Sequence, residues 1–142
     1  MTAFQADGES SNLSFRSKKK GKSRMNKHKK IFFLDDMEIR QKSFKRSFPV
    51  DNITFAKSAE EAIKILEKDL DWDLICLDHD LGNRTFVDSK DLNTGYQVAK
   101  FLSDKNIKST IIIHSCNPVG AENMLKLLPQ AVYLPVFWLK TW

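Results

Sequence analysis

Three short runs, Ile31-Phe32-Phe33-Leu34, Leu74-Ile75-Cys76-Leu77 and Thr110-Ile111-Ile112-Ile113, are apolar almost throughout and then stop at polar side chains: Asp35-Asp36, Asp78-His79-Asp80 and His114-Ser115. A four-residue run without polar alternation suits a strand covered on both faces, and such strands belong to parallel sheets flanked by helices. The intervening segments have the matching amphipathic pattern. After Asp36 a helix carries Met37, Phe44 and Phe48 on one side and Lys42, Lys45 and Arg46 largely on the other, stopping before Pro49. Ile53-Thr54-Phe55 reads as a short second strand. Ser58 and Glu61 stand in capping-box spacing ahead of Ala62, Ile63, Leu66 and Leu70. Beyond Asp80 comes a mostly polar loop of about a dozen residues, longer than most strand-to-helix connections and therefore read as a functional flap.

Thr94-Gly95 opens a third helix with Val98, Phe101 and Leu102, and Asn117-Pro118 reads as N-cap and first-turn proline of a fourth, lined inside by Ala121, Met124, Leu125 and Leu128. Val132 to Phe137 completes a fifth strand. Trp138 to Trp142 is too short for a fifth helix, so the pattern predicts a (βα)4β unit. The expected architecture is α/β, an open parallel flavodoxin-like sheet in the order 2-1-3-4-5.

At 142 residues the chain is long enough for one core and too short for two ordinary domains. Its charge is uneven. Residues 1 to 30 hold nine Lys/Arg against Asp7 and Glu9, a net +7, whereas the remaining 112 residues carry 14 basic and 16 acidic side chains. Residues 1–29 are read as a disordered basic tail and 30–142 as the folded domain. A solvated arm is the preferred reading of the tail; nonspecific contact with nucleic acid through phosphate neutralisation is the alternative. No signal-peptide core and no apolar stretch of membrane-spanning length occurs, so the cytoplasm is the expected compartment. Cys76 and Cys116 fit neither a disulfide framework nor a zinc motif and are expected to be reduced.

Ligands of open parallel sheets bind outside the carboxyl ends of the strands, where the order reverses. In the 2-1-3-4-5 order strands 1, 3 and 4 are neighbours and would bring Asp35, Asp36, Asp78, His79, Asp80, His114 and Ser115 together. Carboxylates about 4 Å apart repel by around 4 kcal/mol per pair at an effective dielectric near 20, so they call for protons or a cation. A divalent metal is the simplest answer: oxygen ligands of this kind suit magnesium, manganese or calcium, and the nearby imidazoles would also admit a transition metal. His79 and His114 are candidate general acid and base, with Asp80 joining either group. Arg40 is a candidate phosphate ligand, against the alternative of a surface ion pair. Ser115, Asn117 and Gly120 surround the start of the fourth helix, where free N–H groups, the helix dipole and the small Gly120 would admit a phosphate. Asn117 also has an adequate reading as the N-cap, and Asn123 as an exposed polar residue.

The placement of Asp35-Asp36 and Asp78 resembles the response-regulator receiver over residues 30 to 137. That resemblance implies magnesium on the acidic pair, phosphoryl acceptance on Asp78 and Ser115 as the hydroxyl after strand four. No lysine stands at the end of strand five, which reads Leu134-Pro135-Val136-Phe137. The strings FFLDDMEIR, LDHDLG, TGYQVAK and HSCNPVGAENM more closely resemble the cyclic-phosphate-processing receiver branch. This implies a receiver scaffold with His79 and His114 in place of the lysine, acting on cyclic phosphates of nucleotides. The expected function is therefore metal-dependent phosphodiester hydrolysis on a nucleotide-like phosphate ligand, with Asp35, Asp36 and Asp78 holding magnesium or manganese and His79 and His114 moving protons. A phosphoacceptor switch using Asp78 and a non-catalytic nucleotide-sensing module are its rivals.

Overall fold

The computed structural model describes residues 29–48 and 52–135. The elements alternate along the chain: β1 (Lys30–Leu34), α1 (Glu38–Ser47), β2 (Asn52–Ala56), α2 (Ala59–Lys68), β3 (Leu74–Leu77), α3 (Gly95–Ser103), β4 (Thr110–Ile113), α4 (Pro118–Leu127) and β5 (Val132–Tyr133). Every strand pair is parallel, and the sheet order is β2-β1-β3-β4-β5, as expected. The basic tail before Lys29 and the tryptophans Trp138 and Trp142 lie outside the described residues. No helix among the described residues is long and apolar enough to cross a membrane. Cys76 is buried and Cys116 exposed, and both are free.

Strand alternation divides the core in two. Phe32, Leu34, Ile75, Leu77, Ile111 and Ile113 face a cluster completed by Ala62 and Leu66 of α2, Val98 and Leu102 of α3, and Ala121 and Met124 of α4. On the other face Ile31, Phe33 and Cys76 meet Phe44 of α1. Aromatic contact holds that smaller cluster together: Phe33 and Phe44 stack at 4.2 Å, and Phe44 and Phe48 at 4.7 Å between ring centroids.

Local signals set the helix ends. Ser58 Oγ accepts from Glu61 N at 3.1 Å, while the Glu61 carboxylate accepts from Lys57 N, one residue earlier than in the usual capping box. Asn117 Oδ1 accepts from Gly120 N at 3.0 Å with Pro118 in the first turn, as the sequence predicts. Two expectations shift. Met37 sits at the N-cap of α1 and is exposed, because the helix begins at Glu38 and its buried side is formed by Gln41 and Phe44. The fifth strand, expected over Val132 to Phe137, pairs only at Val132–Tyr133 among the described residues, and Val136 and Phe137 lie outside them. Leu134 N still donates to the Ile113 carbonyl at 2.9 Å, but Pro135 has no N–H to continue the ladder.

Gly95 shows why α3 opens with glycine. A Cβ there would lie 1.7 Å from the Asp78 carbonyl oxygen, a backbone atom with no room to yield. Its N–H donates to the His79 carbonyl at 2.9 Å, so the start of α3 is pressed against the end of β3.

Phe44→Ala should cost about 3–5 kcal/mol of unfolding free energy in urea titration, because it empties the centre of the smaller cluster and unseats α1. A much larger loss of soluble protein is expected for Gly95→Ala than for Gly82→Ala, since only the former meets backbone.

Candidate functional site

Backbone pairing runs one residue beyond each central strand. Asp35 N donates to the Ala56 carbonyl at 3.0 Å, Asp78 N to Leu34 at 3.1 Å and His114 N to Leu77 at 2.9 Å. The functional side chains therefore start from backbone held as firmly as the sheet itself. Asp35 and Asp78 are buried and Asp36 partly so; each offers an oxygen, and these oxygens lie within 4.8 Å of one another.

Arg40, in the first turn of α1, reaches between the acids. Its Nη1 lies 3.2 Å from Asp35 Oδ2 and 3.4 Å from Asp78 Oδ2. Asp35 is held further by the Met37 N–H on Oδ1 (2.9 Å) and by Gln41 Nε2 on its carbonyl (2.7 Å); Asp36 accepts from the Asn83 N–H. One guanidinium does not neutralise three carboxylates. Burial, with the nearby Asp35 charge, pushes the Asp78 carboxyl up to about 8 despite Arg40. Asp35 is also raised, chiefly by burial, against the Met37 N–H and the charge of Arg40. Three carboxylate oxygens make the donor set of a hard divalent cation such as magnesium or manganese, whose charge would relieve this burial cost. Above them opens a crevice of about 310 Å³ bordered by Met37, Asn83, Thr85, Phe86, Ser115 and Cys116.

Neither histidine opens on the crevice, although His114 Nδ1 lies 3.8 Å from Asp35 Oδ2. His114 is fully buried and lies parallel to Phe33, with ring centroids 4.8 Å apart. Its Nε2 is 3.2 Å from the Leu34 carbonyl, an acceptor only, so Nε2 carries the proton. Burial, with the charge of Arg40, pushes its pKa down to about 3, which keeps the ring neutral at neutral pH. His79 is fully buried, with Nδ1 2.7 Å from Asp80 Oδ1 and Nε2 2.9 Å from Ser89 Oγ. Neither imidazole borders the acid crevice.

Asp80 organises the loop that follows. It accepts from Phe86 N (2.6 Å), Val87 N (3.2 Å) and Asn117 Nδ2 (3.0 Å) besides His79. Burial raises its pKa, but the bonds from Asn117, His79, Phe86 and Val87 outweigh that and hold the carboxyl below its usual value. They also hold Phe86 at φ 53, a left-handed conformation that costs a bulky residue about 1–3 kcal/mol.

At the start of α4 the space expected to admit a phosphate holds an imidazole. A Cβ on Gly120 would lie 2.4 Å from His79 Cγ, so Gly120 makes room for that ring. Asn117 uses Oδ1 as the cap and Nδ2 on Asp80, and Ser115 Oγ accepts from Asn117 N at 3.0 Å while still bordering the acid crevice. Asn123, expected to be exposed, is half-buried and donates to Ser89 Oγ at 3.0 Å. Ser89 and Gln41 escaped sequence reasoning: a serine in a polar loop and a glutamine in a helix carry no local mark of their partners.

A parallel 2-1-3-4-5 sheet with a three-aspartate crevice at its carboxyl edge defines a receiver domain. Residues 30–130 match the Cyclic-phosphate processing Receiver domain, and the chain belongs to that family. Solved structures with the same fold include the CheY-like receiver domain from Methylobacillus flagellatus (14% identity, 77% of this chain and 86% of that one, TM-score 0.57). The Francisella response regulator 1452 receiver domain is similar at 22% identity, covering 75% and 83%, with TM-score 0.55. The Mn(2+)-bound form of response regulator Rcp1 is similar at 15% identity, covering 75% and 80%, with TM-score 0.54. No curated protein matches the chain.

Because the folded Asp78 carboxyl titrates near 8 and an unfolded one near 3.9, the folded state binds the extra proton between those values. Stability contributed by that proton is present below about pH 4 and is lost as pH rises toward 8, by up to about 1.4 kcal/mol per pH unit. Thermal melts in EDTA should therefore show Tm falling from pH 5 to pH 8, with magnesium restoring it at pH 8. In Asp78→Asn the fall should be much shallower.

Proposed function

We propose that this chain is a phosphoacceptor receiver switch, in which Asp78 accepts a phosphoryl group and Asp35, Asp36 and Asp78 hold a divalent cation. The observation that carries this reading is the convergence of those carboxylates beneath an open crevice, with Asp78 Oδ2 tied, among the described residues, only to Arg40 Nη1 at 3.4 Å. Asp78 Oδ1 is anchored by the His79 N–H at 2.7 Å, which leaves Oδ2 as the attacking oxygen. The Oδ2–phosphorus bond forms as the bond from phosphorus to its leaving group breaks. A bound cation would favour the ionised acceptor and screen the phosphoryl oxygens. Arg40 is placed to turn from the carboxylates to those oxygens, and the Ser115 hydroxyl to donate to one of them.

Hydrolysis of cyclic phosphates is the second reading, and the description of the family favours it. It asks His79 and His114 to exchange protons with a substrate over the acids. Their full burial off the border of the crevice, and the neutral, Nε2-protonated His114, give that chemistry less support. Nucleotide sensing without turnover needs no imidazole at the crevice, but nothing there selects a base.

Incubation with acetyl phosphate and magnesium should add one phosphoryl group to the intact protein by mass spectrometry, and Asp78→Asn should abolish it. A 2′,3′- and 3′,5′-cyclic nucleotide panel run beside it separates the readings: ring opening without protein phosphorylation would overturn the switch. Arg40 competes for the place of the cation, so Arg40→Ala should bind manganese at least about tenfold more tightly by calorimetry, roughly 1.4 kcal/mol. It should nevertheless accept phosphate more slowly.

A further inference from the structure

One hydrogen-bonded chain, Ser89 Oγ, His79 and Asp80, meets the acid crevice only through Asp80 and is not used by the chemistry proposed there. His79 Nδ1 lies 2.7 Å from Asp80 Oδ1, and His79 Nε2 lies 2.9 Å from Ser89 Oγ. The ionised carboxylate accepts only, so Nδ1 carries the proton and Nε2 presents its lone pair to the serine hydroxyl. That is a nucleophile, a base within reach of it, and a third group that orients the base.

Each member is held in place. Asp80 is fixed by three further donors, Phe86 N, Val87 N and Asn117 Nδ2. The His79 ring fills the space above Gly120, where no other residue type would leave room for it. Ser89 occupies a turn closed by Asp91 N on the Asp88 carbonyl at 2.9 Å, and its own carbonyl accepts from Gln97 Nε2 at 3.2 Å. His79 is sealed in, whereas Ser89 is half-buried and opens on a groove of about 460 Å³. Phe86 is the one residue this groove shares with the border of the acid crevice.

We propose that Ser89, His79 and Asp80 form a second site, an acyl-transfer centre in which Ser89 is the nucleophile toward small neutral esters. The groove selects the substrate class. Val87, Val119 and Phe86 supply apolar surface and Asn117 and Asn123 neutral polar groups, and among the described residues its border includes Asp88 but neither Lys nor Arg. A neutral ester therefore suits this groove rather than the adjoining one that Ser89 also borders beside Lys90 and Lys126. Ser89 Oγ bonds to the acyl carbon while its proton passes to His79 Nε2. The carbon–oxygen bond to the alcohol then breaks, and the alcohol leaves with that proton. Water completes the cycle by the reverse path, giving the free acid and Ser89. Asn123 Nδ2 donates to Ser89 Oγ at 3.0 Å and so stands as an N–H donor beside the attacking oxygen. Asp80 is a positioning residue that acts through His79.

The test treats the full-length chain with an alkyl fluorophosphonate, in which Ser89 Oγ displaces fluoride from phosphorus, and maps the adduct by peptide mass spectrometry. The adduct is expected on Ser89, at least about tenfold faster in the native chain than in urea, and absent in Ser89→Ala; p-nitrophenyl acetate hydrolysis should fall with it. Asp80→Asn, if folded by circular dichroism, should slow labelling while leaving a serine that still reads out. If that variant does not fold, the native-to-urea ratio decides. No adduct at Ser89 in the folded chain, or equal rates in the native and denatured states, would overturn the proposal. Acceptance of phosphate at Asp78 is read separately, so either site can fail alone.

Discussion

A guanidinium between two buried carboxylates is the interaction around which the carboxyl edge is built. Asp35 and Asp78 leave their strands into a space with little water, where each negative charge costs several kcal/mol unless something answers it. Arg40 answers part of that cost, and it can do so only from a fixed helix. Hence the importance of the Phe33–Phe44–Phe48 stack and of Gln41 on the Asp35 carbonyl. Together they fix the position and angle of α1 although that helix has few apolar residues of its own.

Along Asp78-His79-Asp80 three neighbours take three different tasks. Asp78 faces the crevice, His79 turns inward over Gly120, and Asp80 gathers the N–H groups of the loop. The string looks like one acidic cluster when written out, yet it divides between an open crevice and a hydrogen-bonded network centred on the Asp80 carboxylate. This division keeps the His79 ring off the border of the crevice although Asp78 and Asp80 on either side of it both reach that border.

The fold was legible because its signals are local. Uniformly apolar runs give covered strands, Ser58 and Asn117 cap helices through their own backbone neighbours, and the strand order then brings Asp35, Asp36 and Asp78 to one edge. Orientation was not legible. Whether His114 opens on the crevice or lies flat on Phe33 depends on a packing partner 81 positions away. Likewise nothing beside Ser89 announces His79, and nothing beside Gly120 says that an imidazole fills its vacancy. The short β5 shows a limit of the other kind: apolar character continued past Tyr133, but Pro135 withdrew the donor that pairing requires.

The contact between Gly95 and the Asp78 carbonyl has a mechanical meaning. The strand end and the helix start meet through backbone atoms and the Gly95–His79 hydrogen bond, with no room for a side chain between them. A shift of the Asp78 peptide would be converted into displacement of the whole α3 axis rather than absorbed by a soft side chain. The far end of that helix, at Ser103, would then travel farther than its origin, as the tip of a lever does.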